Sequence, residues 1–117
     1  MKLINGDEIS TPYQCPVSAM MHFLGGKWKL IILWCIRNGV TRFGELQRAI
    51  PDISKKMLTS ELRSLENDGF LNRTVFPVVP PKVVYSMTPL AESLEESLIV
   101  LSAWGEQYAL PKIKAAG

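Results

Sequence analysis

The chain has 117 residues, 47% of them hydrophobic, with a mean hydropathy of +0.11 and a formal net charge of +2. That length suits one domain with a real core, and that apolar fraction excludes an intrinsically disordered chain. No apolar run approaches the roughly 20 residues that span a bilayer, and the N-terminus lacks the apolar core of a secretion signal, so a cytoplasmic protein free of the membrane is expected.

In chain order, residues 1–14 are polar with few anchors and read as an N-terminal arm. Cys15-Pro16 then opens a short apolar stretch that runs to Leu24. Pro16 suits the first position of a helix, where its missing N–H costs nothing. Gly25-Gly26 makes a corner. Residues 27–38 are apolar on nearly every face after their first turn, which predicts a core helix ended by Asn38-Gly39. The cysteines, Cys15 and Cys35, are too few for a disulfide framework or a zinc site and fit a reducing compartment.

Residues 42–50 predict a short amphipathic helix with Phe43, Leu46 and Ile50 inward. After a tight link, Pro51-Asp52-Ile53, a second helix is expected from Ser54 to Gly69. Leu58, Leu62 and Leu65 recur there at i, i+4 and i+7, the spacing of one buried face. Ser54 is placed to cap its start, and Gly69 to take the left-handed conformation at its end. The opposite face carries Lys56, Thr59, Ser60, Arg63 and Asn67, with Lys55 at its shoulder and no acid until Glu66 and Asp68. Cations and small hydroxyls on a helix suit phosphate oxygens and base edges in a major groove. Two helices joined this closely predict a helix-turn-helix unit whose second helix enters the groove.

Residues 71–76 and 82–87 are rich in β-branched and aromatic residues and predict two strands, with Pro77-Val-Val-Pro-Pro81 as a stiff hairpin tip. A hairpin in that place is a wing, from which Arg73 and Lys82 can reach a phosphate backbone. Thr88-Pro89 caps and starts a last helix expected to run to about Leu110, leaving 111–117 as a tail. Leu90, Leu94, Leu98, Leu101, Trp104 and Tyr108 form one apolar stripe along it, and Glu92, Glu95, Glu96 and Glu106 its wet side. A helix of that length outreaches a compact core, so part of the stripe needs another surface. A twin copy supplies it most economically, since isologous dimers are the commonest assembly.

Charge is unevenly spread. Residues 37–82 hold eight bases against five acids, whereas residues 83–117 hold four acids against two lysines. The middle of the chain is therefore the candidate for facing a polyanion. Catalysis finds no support: His22 lies in an apolar helix, no His–Cys spacing suits a metal, and no glycine-rich loop resembles a phosphate cradle. No metal or cofactor is expected. The fold class expected is α+β, mainly α: a winged helix-turn-helix domain over 15–110 with N-terminal and long C-terminal dimerisation helices.

The motifs Cys15-Pro16-Val17, Gly25-Gly-Lys-Trp-Lys29, Arg42-Phe-x-Glu-Leu46, Ile53-Ser-x-Lys-Met-Leu-Thr59, Asp68-Gly69, Val79-Pro-Pro-x-Val-x-Tyr-Ser-x-Thr88 and Trp104-Gly105 together resemble the HxlR family of bacterial transcriptional regulators. The resemblance implies a homodimer on a pseudo-palindromic DNA operator, its recognition helices roughly 34 Å apart in successive major grooves. It implies operator contacts from Ser54, Lys56, Thr59, Ser60 and Arg63, with Arg63 paired to a guanine and Lys55 and Lys56 on phosphate. Arg42 would be a further phosphate anchor. Gly44 stands where the family more often has serine or a longer polar residue. Several relatives sense oxidants or electrophiles through a cysteine ahead of the first helix, which makes Cys15 a candidate sensor. A thiol at a helix N-terminus feels the positive end of the macrodipole, which favours the thiolate. The same position also suits a small capping residue, and Cys35 reads as inert packing. The competing reading is a winged-helix module that docks a protein or senses a ligand, with Met20, Met21, Phe23, Trp28 and Trp34 lining a pocket. The acid-free Lys56–Arg63 face separates the two, because a docking module has no need of it.

Overall fold

Apolar residues at helical spacing build most of the molecule, and the computed structural model, which describes Gly6 and residues 15–117, shows the elements in the expected order. The expected arm, 1–14, lies outside the described residues apart from Gly6. The helices α1 (Pro16–Leu24), α2 (Lys29–Arg37), α3 (Phe43–Ala49) and α4 (Lys55–Asn67) come first. Strands β1 (Leu71–Phe76) and β2 (Lys82–Met87) follow, then α5 (Pro89–Glu92), α6 (Glu95–Trp104), a π-helical turn (Gly105–Ala109) and α7 (Leu110–Ala116). This is a mainly helical winged-helix arrangement with one small antiparallel sheet.

At its centre lies α2, which packs against α3, α4, α6 and β2. Ile32, Leu33 and Ile36 of α2 join Leu46, Ile50, Ile53, Leu58, Leu62, Leu65, Phe70 and Leu71 in one core. Two helices end by the same device. After α2, Gly39 at φ +92° lets its own N–H reach the Ile36 carbonyl at 3.0 Å and that of Val40 reach Cys35 at 3.0 Å. After α4, Gly69 at φ +85° does the same toward Glu66 at 3.1 Å, while Phe70 reaches Leu65 at 2.8 Å. These are Schellman ends, and a side chain at either glycine would be strained.

The second of these ends turns the chain straight into the wing. Strand β1 pairs antiparallel with β2 from Leu71↔Met87 to Phe76↔Lys82. Arg42 pairs with Val84, and the Tyr85 N–H donates to the Thr41 carbonyl at 2.9 Å, so the chain leading into α3 runs along β2. At the foot of the wing the Thr88 hydroxyl donates to the Gly69 carbonyl at 2.6 Å, and the Thr88 N–H to that of Phe70 at 3.2 Å. The same hydroxyl oxygen accepts the Ala91 N–H at 3.2 Å and so caps α5. One threonine therefore ties together the end of α4, the foot of the wing and the start of the last helices.

The C-terminal part corrects the expectation of one helix ending near Leu110. A break at Ser93–Leu94 separates α5 from α6, and helix continues past Pro111 to Ala116. A proline inside a helix normally clashes with the carbonyl four residues back. Here the chain widens just before it: the Leu110 N–H bonds to the Gly105 carbonyl, five residues back, and this π turn accommodates Pro111. The apolar stripe also divides. Leu98 is buried and Leu94 half-buried, whereas Leu90, Leu101, Trp104 and Tyr108 stay exposed. Glu95 is exposed, as expected of the wet side, and forms a surface ion pair with Arg37 of α2 at 3.0 Å.

Candidate nucleic-acid interface

The site is built from α4 outward. The Ser54 hydroxyl accepts the Met57 N–H at 3.0 Å, so the helix starts one residue later, at Lys55. Burial of Leu58, Leu62 and Leu65 then fixes its rotation. Each such leucine is held by about 1.5–3 kcal/mol of apolar burial. With that face turned in, Lys55, Lys56, Ser60, Arg63 and Asn67 are exposed on the other, and Thr59 is half-buried at its edge.

These side chains, together with Ser64 and Asp68, line one open face along the helix. Three cations there face one carboxylate, and that carboxylate sits at the C-terminal end. Ser64 escaped the reading of the sequence, although its i+4 row with Lys56 and Ser60 could have found it. The Thr59 hydroxyl donates to the Lys55 carbonyl at 2.9 Å, so its oxygen remains available as an acceptor. A helix of 13 residues is about 20 Å long, and its bare outer side fits a major groove about 12 Å wide.

The remaining candidates fall in different places. Arg42 precedes α3 with an exposed side chain, while its backbone N–H donates to Glu45 Oε1 at 3.1 Å. Arg73 is brought beside α4: it shares a crevice of about 340 Å³ with Phe43, Thr59, Arg63, Glu66 and Tyr85. Lys82 is not brought there. It lies at the far end of the hairpin, half-buried, with its ammonium 5.4 Å from the centroid of the Phe76 ring. Gly44 is exposed, and a Cβ added to it would meet only Arg48 Nη1 at 3.4 Å, so serine would fit.

Cys15 stands apart from these elements, as the residue preceding α1. The backbone N–H and the hydroxyl of Ser18, facing the thiol from the first turn, hold its pKa below the ordinary thiol value. Burial pushes the Cys35 thiol up instead. A lowered pKa enlarges the thiolate fraction at neutral pH, and the rate of alkylation follows that fraction. Iodoacetamide at pH 7, followed by peptide mass mapping, is accordingly expected to label Cys15 well before Cys35. The Cys15 rate should level off at a lower pH than that of a free thiol, and the Cys35 rate should still be climbing there. Equal rates would contradict this.

The five residues proposed for an apolar pocket do not converge. Met20, Met21 and Phe23 are exposed, while Trp28 and Trp34 pack partly against the core. Among the described residues no cluster of three His, Cys, Asp or Glu side chains could hold a metal ion. Among them, too, no single helix is long and apolar enough to cross a membrane.

Comparison with known proteins identifies the family. A family model described as HxlR-like helix-turn-helix matches residues 23–113, a span that begins after Cys15. The HTH-type transcriptional regulator YdeP of Bacillus subtilis is 42% identical over 104 residues, covering 87% of this chain and 81% of YdeP. Among solved structures, the redox regulator HypR in its oxidized form superimposes with a TM-score of 0.76 at 43% identity, over 80% of this chain and 96% of HypR. The diamide-treated YodB of B. subtilis gives a TM-score of 0.65 at 34% identity, over 80% of this chain and 94% of YodB.

Proposed function

The chain belongs to the HxlR-like helix-turn-helix family of transcriptional regulators, and from that premise we propose that two copies of it read a pseudo-palindromic DNA operator. Each α4 enters a major groove with Ser54, Lys55, Lys56, Thr59, Ser60 and Arg63 toward the duplex. Arg42 and the wing hold the flanking backbone. The observation that carries this reading is the outer face of α4, cationic, exposed and unused by packing within the subunit. Phosphate contacts position such a helix, and side chains at base edges specify the sequence.

The dimer is supported by exposed apolar side chains outside α4. Val17, Met20, Met21 and Phe23 of α1 and Leu101, Trp104, Tyr108, Leu110 and Ile113 near the C-terminus all present large apolar side chains to solvent. Exposed apolar area of this extent marks an interaction site. To read two half-sites, a twofold pairing must bring the two α4 helices to one side of the pair, roughly 34 Å apart, the repeat of the duplex.

An oxidant or electrophile acting on Cys15 is the effector we favour, on the lowered pKa of that thiol and the likeness to HypR, a redox regulator by name. Salt-dependent binding to random-sequence duplex tests the central claim. Retention should weaken steeply as salt rises, because phosphate contacts release condensed counterions. Binding to no duplex at low salt would end the proposal. Diamide should lower the affinity of wild type and spare Cys15→Ser; equal losses in both would remove Cys15 as the sensor.

A further inference from the structure

The crevice between α4 and the wing assigns Arg63 a role different from the one its place on the recognition helix suggests. Thr59, Arg63 and Glu66 stand at i, i+4 and i+7 along one side of α4. Arg73 and Tyr85 face each other as a cross-strand pair of the wing. With Phe43 of α3 these side chains line one hollow of about 340 Å³. Two arginines thus line a space with one acidic residue, and among the described residues neither is ion-paired with Glu66. Tyr85 is buried in the core, and Thr88 locks the foot of the wing to the end of α4, so the walls are fixed relative to each other.

We propose that this crevice is a clasp for a single phosphate, in which Arg63 from α4 and Arg73 from the wing hold the same backbone phosphate of the bound duplex. The inference rests on the DNA-binding reading above and deepens it. Arg63 then positions the helix rather than reading a guanine. Planar guanidiniums suit phosphate oxygens because each can present parallel N–H donors. Glu66 sets the net charge of the hollow, offsetting the mutual repulsion of the arginines in the free protein and opposing the phosphate in the complex.

Phosphate holding and base reading leave different signatures. A phosphate contact contributes about 0.9–1 to the slope of log affinity against log salt and weakens all sequences alike, whereas a base contact shifts sequence preference. The experiment measures fluorescence anisotropy of random-sequence duplex and of a duplex selected for tight binding, across a salt series. The proteins are the full chain and its Arg63→Ala, Arg73→Ala, double-alanine, Arg63→Lys and Glu66→Gln variants. Arg63 and Arg73 are exposed, so these replacements leave the core intact.

Each single alanine should weaken both duplexes equally, and the double variant should lose about 1 from the slope per bound subunit, hence about 2 for the dimer, not about 2 per subunit. Arg63→Lys should retain the slope, and Glu66→Gln should bind several-fold more tightly. Additive slope losses, or an Arg63→Ala protein that changes sequence preference alone, would overturn the clasp while leaving DNA binding intact. Saturation of the free protein by inorganic phosphate alone, abolished in the double variant, would overturn it in favour of a free anion as occupant. Failure of wild type on every duplex would instead remove the DNA-binding reading beneath it.

Discussion

Replacing Trp104 with glutamate is expected to halve the mass of the protein in solution, from a dimer to a monomer of 13.1 kDa, and to abolish tight operator binding. Trp104 is 58% exposed in the single chain and packs at a tilt against Tyr108, with ring centroids 5.7 Å apart. Both belong to the apolar surface that the proposed second copy would cover. A carboxylate buried there without a partner is penalised by several kcal/mol, enough to exclude it from a dimer interface. Losing the dimer also uncouples the two half-sites. Linked binding modules commonly gain about 10²–10⁴ in affinity over one alone, so a loss of that order is expected on a two-site duplex. Light scattering and a band-shift titration read the two effects. Val79→Glu supplies the control: Val79 is fully exposed at the wing tip and should leave the mass unchanged. A Trp104→Glu protein that remains dimeric would move the twofold axis elsewhere on the molecule.

Local signals account for what the sequence made legible. Ser54 announces the start of α4 and Gly69 its end, because a hydroxyl cap and a left-handed glycine act within a few residues of themselves. The strands at 71–76 and 82–87 were equally readable, since prolines bracket a tip that cannot pair. What escaped depends on partners distant in the chain. Glu95 is exposed, as its place on the wet side implies, but its ion pair with Arg37, 58 residues away, comes only from the packing of α6 on α2. That Arg63 shares a crevice with Arg73 depends on where the wing folds, which helical spacing alone does not place. Pro111 read as a terminator because the rule assumes an ordinary α-helical turn before it, and the π turn at Gly105–Ala109 removes that assumption. Lys82 shows the reverse limit: its place in the wing was legible, but its contact with the Phe76 ring was not.

Leu62→Ala is expected to lower the stability of the folded chain by about 2–5 kcal/mol, against a total of about 5–15 kcal/mol for ordinary domains. Leu62 is 1% exposed between Leu58 and Leu65, so truncation leaves a void that neighbours from α2 and β1 can fill only in part. Met57, on the same helix, is 41% exposed, and Met57→Ala should cost under about 1 kcal/mol, because its contribution to the Ser54 cap is made by its backbone N–H. Urea unfolding at one fixed protein concentration measures both, the concentration being held because any dimer adds its own stabilisation by mass action. The contrast bears on function as much as on stability. Successive helical residues turn by about 100°, so the face that packs and the face that meets DNA are set by one rotation. If the two alanines cost the same, that rotation is wrong, and Lys56, Ser60 and Arg63 lose the exposure on which operator binding depends. If Leu62→Ala alone is costly, the leucines that hold α4 against the core are the same residues that present its cations to the duplex.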